Sequence, residues 1–312
     1  MEATSQGMAH GLVPGFPKLP ESWKTSWGTS LSSDGRITLF SMAHARRDLS
    51  SSDRPIRILF IFHGQGEHCG RYQHFPHYLD RAVDVIATMD HRGHGRSEGV
   101  RGHVDRFEQY LEDAHDFVER TCTEWSSGGK KVEIHLFGHS MGGLISLLLL
   151  QEYPQLPFRS ATLSAPFLGL KFEVPLVKRL AGHALSRVFG GLQMETGLDS
   201  SLVSRDPQVV ATYNSDKLVH GKATTRFFTE VFEAIRRAKS RNTLQVPIQF
   251  ILPLADGLVD TQVTLEFAEK LADSEKRVVT YSDFYHESFN ELEKEKAFAE
   301  LSGWIQKHSS LI

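Results

Sequence analysis

Residues 132–150 read VEIHLFGHSMGGLISLLLL, the most informative segment of the chain. It begins with an apolar run of the kind found in buried strands, and it ends with residues 144–150, the apolar run of a buried helix. Between them lies GHSMG (138–142), the G-x-S-x-G pattern of a nucleophile elbow at a strand-to-helix turn. Glycines relieve crowding where a serine holds a strained backbone and projects its hydroxyl outward. We therefore predict that Ser140 is a nucleophile.

Short apolar runs alternate with helical patterns on both sides of this stretch. Runs rich in Val, Ile and Phe suit strands that are buried on both faces of a parallel sheet. We predict such strands at 58–62, 83–89, 132–137, 161–163, 248–252 and 278–281. A hairpin is expected over 25–44, where the turn signal SDG (33–35) splits an alternating stretch. With a helical pattern over 106–125, the chain is predicted to be an α/β protein, a mostly parallel sheet flanked by helices.

The alternation of strands and helices is interrupted once, and this interval predicts an inserted subdomain. Between Leu163 and Ile248 there is no convincing strand, although apolar residues are frequent and a helical pattern covers 224–239. We predict a mostly helical cap over one end of the sheet. The expected division is an irregular arm at 1–24, an α/β core in two parts at 25–166 and 247–312, and the helical cap at 167–246.

Composition narrows the class of protein. The 312 residues carry 35 Lys and Arg against 38 Asp and Glu, a net charge of −3, which argues against a nucleic-acid partner. Two cysteines, Cys69 and Cys122, cannot form a disulfide framework and are expected to be reduced. No export signal opens the sequence, and no apolar run is long enough to span a bilayer. We therefore expect a cytoplasmic protein.

A serine nucleophile needs a base that is itself oriented by an acid. In this fold class the acid and then the histidine follow the serine along the chain. Asp256 and His286 each come after the end of a predicted strand, where open α/β sheets place their ligands. Ser140, Asp256 and His286 are the predicted catalytic triad.

The oxyanion that forms during acyl transfer needs two N–H donors. The segment HGQGEH (63–68) follows the first central strand, the position that supplies one donor in this fold. We predict the backbone N–H groups of Gln65 and Met141 as the pair. Only the backbone of Gln65 is required for this role, so its side chain is expected to be free to vary.

Other motifs are less informative. Asp260 is better explained as the N-cap of a helix over 261–271, and His139, beside the serine, is expected to point elsewhere. The segment GHGRSEG (93–99) resembles a dinucleotide fingerprint, but its third glycine is one residue late and no helix begins there. Histidines in the glycine-rich loops lack the helical pairing of a zinc site. We expect neither a metal nor an organic cofactor.

Seven segments together resemble the monoacylglycerol lipase and lysophospholipase branch of the α/β-hydrolases. They are HGQGEHCGRY (63–72), DHRGHGRSEGVRGHV (90–104), GHSMGG (138–143), SAPFLG (164–169), SRDPQVVATYNSDKLVHGK (204–222), ADGLVD (255–260) and YHESFNE (285–291). The resemblance implies the α/β-hydrolase fold and the triad and oxyanion roles already argued. It also implies that Glu67 and Arg71 help to hold glycerol hydroxyls. The alternative is an internal Glu67–Arg71 ion pair that shapes the loop.

The predicted activity is that of a serine carboxylesterase, which releases fatty acid and glycerol from monoacylglycerols through an acyl-enzyme. Residues 168–177, with Leu168 and Leu170 foremost, are expected to line an acyl tunnel; the alternative is that they form the core of the cap. Exposed apolar residues of the cap would also let it contact a membrane or micelle surface.

Three other functions stay open at this point. A lysophospholipase would use the same triad but must accept a phosphate-bearing head group. A proline-type aminopeptidase shares the fold, yet it needs an acidic site for a free amine that the sequence does not reveal. A non-catalytic binding protein with the hydrolase fold would be expected to lack a triad member, and here all three are present.

Overall fold

A computed structural model describes residue 13, residues 16–49 and 54–171, residue 186, and residues 189–272 and 274–310. The strands of the described residues are β1 (Trp23–Leu31), β2 (Thr38–Arg46), β3 (Ile56–Phe62), β4 (Val85–Met89), β5 (Val132–His139), β6 (Phe158–Ser164), β7 (Gln193–Glu195), β8 (Lys222–Thr224), β9 (Ile248–Pro253) and β10 (Lys276–Tyr281). The helices are α1 (Phe75–Leu79), α2 (Glu108–Trp125), α3 (Met141–Glu152), α4 (Pro207–Ser215), α5 (Thr225–Ser240), α6 (Thr261–Lys270) and α7 (Lys294–Lys307).

Eight of these strands form one sheet in the order β1-β2-β4-β3-β5-β6-β9-β10. β1 and β2 are the predicted hairpin, and β2 also runs antiparallel to β4. All other neighbours are parallel, so their carboxyl ends lie at one edge of the sheet. The predicted mostly parallel sheet is confirmed. The loops that follow β3, β5 and β9 therefore meet at the same edge.

Helices cover both faces of this sheet. Along β3, Phe60 packs into an apolar core shared with α2, α3, α5 and α6. Its neighbours Leu59 and Ile61 point the other way, into a second core with α1 and α7. Alternate residues of a strand point to opposite faces, so a strand covered on both sides must be apolar throughout. That requirement explains the continuous apolar run from which β3 was predicted.

The last strand differs from its prediction as a buried element. β10 lies at the edge of the sheet, with β9 as its neighbour, and Val278 is 40% exposed. An edge strand is covered by fewer neighbours, so its apolar residues need not be buried. The apolar run gave the position of the strand correctly but not its burial.

The segment between β6 and β9 packs on the carboxyl edge of the sheet. It contains α4, α5 and a two-stranded antiparallel sheet of β7 and β8. Each of these strands has three residues, too few to show a period, so neither strand was predicted. The N–H of His220 donates to the carbonyl of Gly66 (2.8 Å) and that of Thr224 to the carbonyl of Gly102 (2.9 Å). We keep the name cap for residues 167–246; these boundaries stay a prediction.

Several local predictions can be checked directly. The carboxylate of Asp260 caps α6 by accepting from the N–H of Gln262 (3.1 Å), as predicted. Cys69 and Cys122 are both free thiols. Within the described ranges, the helices are too short or too polar for any of them to cross a bilayer.

Candidate active site

The nucleophile elbow forms at the turn between β5 and α3. Ser140 has φ 51° and ψ −115°, a left-handed conformation that is strained for a residue with a side chain. Its carbonyl accepts from the N–H of Phe167 (2.9 Å), and its own N–H donates to the carbonyl of Ser164 (3.0 Å). The surrounding backbone thus holds the strained turn in place, at the strand-to-helix position where the sequence predicts it.

The two glycines of the motif are required by close approach. A Cβ on Gly142 would lie 2.0 Å from the carbonyl oxygen of Phe62, and one on Gly138 would lie 2.3 Å from Ser146 Oγ. Neither contact is sterically possible without movement of the backbone or a core side chain. The motif therefore lets α3 pack directly against the end of β3.

Asp256 and His286 meet beside the elbow. His286 Nδ1 lies 2.7 Å from Asp256 Oδ2, and the other carboxylate oxygen accepts from the N–H groups of Leu258 (2.8 Å) and Val259 (2.9 Å). Ser140 and His286 line the same cavity. The structure therefore brings the three predicted triad residues to one site.

The electrostatics of the pair favour a charged imidazole. Burial acts most strongly on His286 and lowers its pKa, but the charge and hydrogen bond of Asp256 outweigh burial and raise the pKa above 6.5. Burial likewise raises the pKa of Asp256, yet His286 and the two backbone N–H groups lower it overall. The carboxylate thus stays ionised and can stabilise an imidazolium.

His139 does not point away from the site, contrary to the prediction. It lines the same cavity as Ser140, and its ring centroid lies 4.7 Å from that of His286. His139 and Phe137 lie on the same face of β5. The Phe137 ring centroid is 4.9 Å from that of Phe289, which follows His286 by three residues. Burial and the charge of His286 lower the pKa of His139 to about 4, so it is neutral at pH 7.

The predicted oxyanion loop lies against the elbow. A Cβ on Gly64 would lie 3.0 Å from Glu67 Oε1 and 3.2 Å from Ser140 Cβ, which is tighter than an ordinary contact, so a side chain here would require its neighbours to shift. Gln65 lines the cavity beside Ser140, and Met141 is the buried first residue of α3. Both predicted donor residues are therefore next to the serine.

The side chain of Gln65 is engaged in two hydrogen bonds, whereas the sequence predicts a role for its backbone only. Its amide oxygen lies 2.9 Å from His94 Nε2, and its amide nitrogen donates to the carbonyl of Lys222 (3.1 Å). Lys222 belongs to β8, so this side chain links the oxyanion loop to the cap. No local sequence pattern signals a contact between residues 157 positions apart.

The Glu67–Arg71 ion pair is present and is part of a larger buried network. Arg71 donates to Glu67 (2.7 Å) and, with two nitrogens, to both carboxylate oxygens of Glu287 (2.6 and 2.7 Å). The hydroxyl of Tyr72 also donates to Glu67 (2.8 Å), and the guanidinium lies 4.8 Å from the centroid of the Tyr213 ring. Of the pair, Glu67 reaches the cavity and Arg71 lies behind it. Sequence reasoning missed Glu287, which directly follows His286.

The cavity over Ser140 has a volume of about 240 Å³ and is mostly apolar. Its apolar side chains are Phe167, Leu170, Leu198, Leu202, Val203, Phe227, Phe228, Leu258 and Val259. Of the predicted tunnel residues, Leu170 lines the cavity, whereas Leu168 is 1% exposed and packs into the main core. Residues 172–177 of the predicted lining lie outside the described part of the chain. Phe227 and Phe228, on α5, were missed.

The sheet order and the serine elbow with its Asp–His pair define a protein of the α/β-hydrolase class. Residues 53–293 match the family model described as serine aminopeptidase, S33, and the chain belongs to that hydrolase family. It is 30% identical over 259 residues to the monoglyceride lipase of Rattus norvegicus, an alignment covering 81% of this chain and 84% of the relative. It is 27% identical over 249 residues to phospholipase YtpA of Bacillus subtilis, covering 79% and 94%.

A solved structure gives the same result. The monoacylglycerol lipase of Paleococcus ferrophilus superposes with a TM-score of 0.72 at 25% identity, covering 92% of this chain and all of the other. The resemblance to the monoacylglycerol lipase and lysophospholipase branch is therefore confirmed, and the chain is an ester hydrolase by family.

Proposed function

We propose that this enzyme hydrolyses monoacylglycerols to fatty acid and glycerol. The observation that carries the proposal is that Ser140 lines a mostly apolar cavity together with His286, whose imidazole is hydrogen-bonded to Asp256. Relatives named monoglyceride lipase cover most of the chain and support the same substrate class.

The proposed reaction has two halves. His286 Nε2 takes the proton of Ser140 as the serine oxygen attacks the ester carbonyl, while Asp256 holds the imidazole at Nδ1 and stabilises its positive charge. The N–H groups of Gln65 and Met141 bind the oxyanion. Collapse of the intermediate passes the proton to the glycerol oxygen and leaves an acyl-enzyme. Water, activated by the same histidine, then releases the fatty acid and restores the serine.

The apolar lining supports a fatty acyl substrate. Each CH₂ that is fully buried contributes about 0.8 kcal/mol, so an apolar wall favours long chains over short ones. Leu170 and the phenylalanines of α5 lie in this wall. We assign Leu170 to acyl contact, and Leu168, which packs in the main core, to support of the wall.

The charges around the cavity favour a neutral head group over a lysophospholipid. The charged side chains that line it are the carboxylates of Glu67, Asp199 and Glu287, and among the residues that the structure describes no Lys or Arg lines it. A phosphate diester would find no free cation to pair with in this lining, because Arg71 lies behind it and already pairs with Glu67 and Glu287, and it would meet the carboxylate of Asp199. Glycerol hydroxyls can donate to a carboxylate, and we assign that contact to Glu67, with Arg71 holding it from behind.

The aminopeptidase alternative is weakened by the same network. Glu67 and Glu287 could attract a free amine, but Arg71 already pairs with both of them. Burial raises the pKa of Glu67, and the charges of Arg71 and nearby histidines outweigh burial and lower the pKa to about 2. An ionised carboxylate that is already neutralised by a guanidinium gives little further attraction for an ammonium group.

Contact with a lipid surface is part of the proposal. Phe189, Leu192, Met194 and Leu198 are 61%, 48%, 41% and 38% exposed, and Leu198 also lines the cavity. Exposed apolar side chains of the cap, of which Leu198 reaches the cavity, would let a lipid enter directly from a membrane or micelle. Sedimentation with phosphatidylcholine vesicles should decrease in a Leu192→Ser, Met194→Ser double variant. Equal sedimentation of the two proteins would contradict this contact.

A substrate panel tests the proposed activity. Initial rates are measured on monooleoylglycerol, on oleoyl lysophosphatidylcholine and on a proline arylamide, with Ser140→Ala as the blank. We expect the highest kcat/KM on monooleoylglycerol. A higher value on the lysophospholipid would establish the alternative activity, and turnover of the arylamide alone would overturn both.

A further inference from the structure

We propose that Arg205, in the cap, is a positioning residue that holds the loop of His286 in its working place. This inference rests on the proposed function of His286 as the base. The histidine loop, residues 282–293, connects β10 to α7 and carries the imidazole. Arg205 immediately precedes Asp206, the N-cap residue of α4.

The cap backbone pairs with the histidine loop at the catalytic residue itself. The N–H of His286 donates to the carbonyl of Leu202 (3.4 Å), and the N–H of Glu287 donates to the carbonyl of Val203 (2.8 Å). One residue further along the cap, Ser204 Oγ donates to the carbonyl of Asn290 (2.9 Å). Residues 202–204 of the cap thus run beside the histidine loop, and their hydrogen bonds hold the backbone of His286 in position.

Arg205 strengthens this contact between the cap and the histidine loop, because its guanidinium binds three carboxylates of the loop. Its Nε lies 2.9 Å from Glu291, its Nη1 2.6 Å from Asp283 and its Nη2 2.6 Å from Glu293. The guanidinium also lies 5.3 Å from the centroid of the Phe284 ring. These partners stand on both sides of His286 in the sequence. One side chain therefore draws together the two arms of the loop that carries the base.

Glu291 transmits this hold to the residue next to the base. It is fully buried, and one carboxylate oxygen accepts from the N–H of Tyr285 (2.8 Å) as well as from the N–H of Arg205 (3.2 Å). Without Arg205, Glu291 would keep a buried charge lacking its cation, close to two further carboxylates. Such an arrangement is unfavourable, and the loop would relax by moving apart.

The rate of the reaction should depend on the exact position of the histidine loop. Asp256 contacts the imidazole at Nδ1, and this contact by itself does not fix the position of the ring. A ring held at one nitrogen can still swing, and a misplacement of about 1 Å can cost about 10²-fold in rate. The cavity that receives the acyl chain is built mainly from other residues. A displaced loop should therefore lower kcat while leaving KM nearly unchanged.

The test compares Arg205→Gln and Arg205→Lys with wild type on p-nitrophenyl butyrate and on monooleoylglycerol. We expect Arg205→Gln to lower kcat about 10- to 100-fold, with KM within about twofold. Arg205→Lys should recover part of this loss, because lysine keeps the charge but cannot reach three carboxylates at once. The rate of Ser140 labelling by a fluorophosphonate should fall in parallel with kcat.

Arg54 provides the matched control. Arg54 lies just before β3 and forms an ion pair with the buried carboxylate of Asp84 through two guanidinium nitrogens. Both residues precede parallel strands, so they lie at the end of the sheet opposite to the active site. Arg54→Gln should keep wild-type kcat even if it melts earlier. A wild-type kcat in Arg205→Gln would overturn the proposal, as would an equal loss of kcat in Arg54→Gln. If wild type cleaves the p-nitrophenyl ester but not monooleoylglycerol, the proposed substrate fails while the Arg205 comparison still stands.

Discussion

The imidazole of His286 and the carboxylate of Asp256 are 2.7 Å apart, although 30 residues separate them in the chain. The other carboxylate oxygen is occupied by two backbone N–H groups, which prevents the carboxylate from rotating. A carboxylate at Nδ1 fixes the proton on that nitrogen and leaves the lone pair of Nε2 for the serine. This relationship is the basis of the first prediction.

The activity should require a neutral His286. Its pKa is raised above 6.5, chiefly because Asp256 outweighs burial, so kcat/KM should fall as the pH drops through that raised value. Asp256→Asn removes the charge, so the acid limb should move to lower pH while the maximal rate drops about 10⁴-fold. A pH profile of both proteins between 5 and 9 measures this. An acid limb that does not move in Asp256→Asn would contradict the assignment of His286 as the base.

Replacement of Ser140 separates activity from stability. Ser140→Ala should lower kcat about 10⁴-fold or more and leave the fold intact. Ser140→Gly should be equally inactive, yet it relieves a strained backbone that costs roughly 1–3 kcal/mol, so its Tm should exceed that of the alanine variant. Calorimetry of the two variants decides the point, and a lower Tm for the glycine variant would argue against strain at the elbow.

Gly142 should tolerate no side chain. A Cβ there would collide with the carbonyl oxygen of Phe62, so Gly142→Ala should be destabilised by several kcal/mol or fail to fold. Gly303, in α7, is the control, because a Cβ there meets nothing within 4 Å. Gly303→Ala should gain up to about 1 kcal/mol from helix propensity. Urea unfolding of both variants measures the difference, and equal effects would be inconsistent with the packing described.

Buried histidines should make the fold sensitive to mild acid. Burial lowers the pKa of His44 to about 4 and that of His135 to about 3, whereas the unfolded chain takes up protons near 6.5. The unfolding free energy should therefore decrease as the pH falls from 6.5, by about 2 kcal/mol per histidine at pH 5. His44→Leu should flatten this dependence in urea titrations at pH 7.5 and 5. If the unfolding free energy of His44→Leu depended on pH as strongly as that of wild type, the lowered pKa of His44 would be refuted.

A larger side chain in the cavity should shorten the accepted acyl chain. Leu170→Trp reduces the space along the apolar wall, so kcat/KM on monooleoylglycerol should fall at least tenfold while a butyrate ester is hydrolysed nearly as before. Leu31→Trp, at a 64% exposed position on β1, should leave both rates unchanged. Equal losses on long and short esters would show that Leu170 does not contact the chain.

Local patterns were sufficient for most of the sheet and for the elbow. Strands such as β3 and β5 are buried on both faces, so their continuous apolar runs are visible in the sequence. β10 was located but not recognised as an edge strand, because burial depends on neighbours that the run itself does not specify. The short strands β7 and β8 left no periodic signal.

The order of chemical groups after the predicted strands is visible in the amino-acid sequence, so Ser140, Asp256 and His286 could be chosen from it. Tertiary structure alone decided that Arg71 meets Glu287 across 216 residues and that His139 turns toward the site. The physical reason is the range of the forces. Backbone strain and apolar periodicity act between near neighbours in the chain, whereas ion pairs form between whichever side chains the completed fold brings into contact.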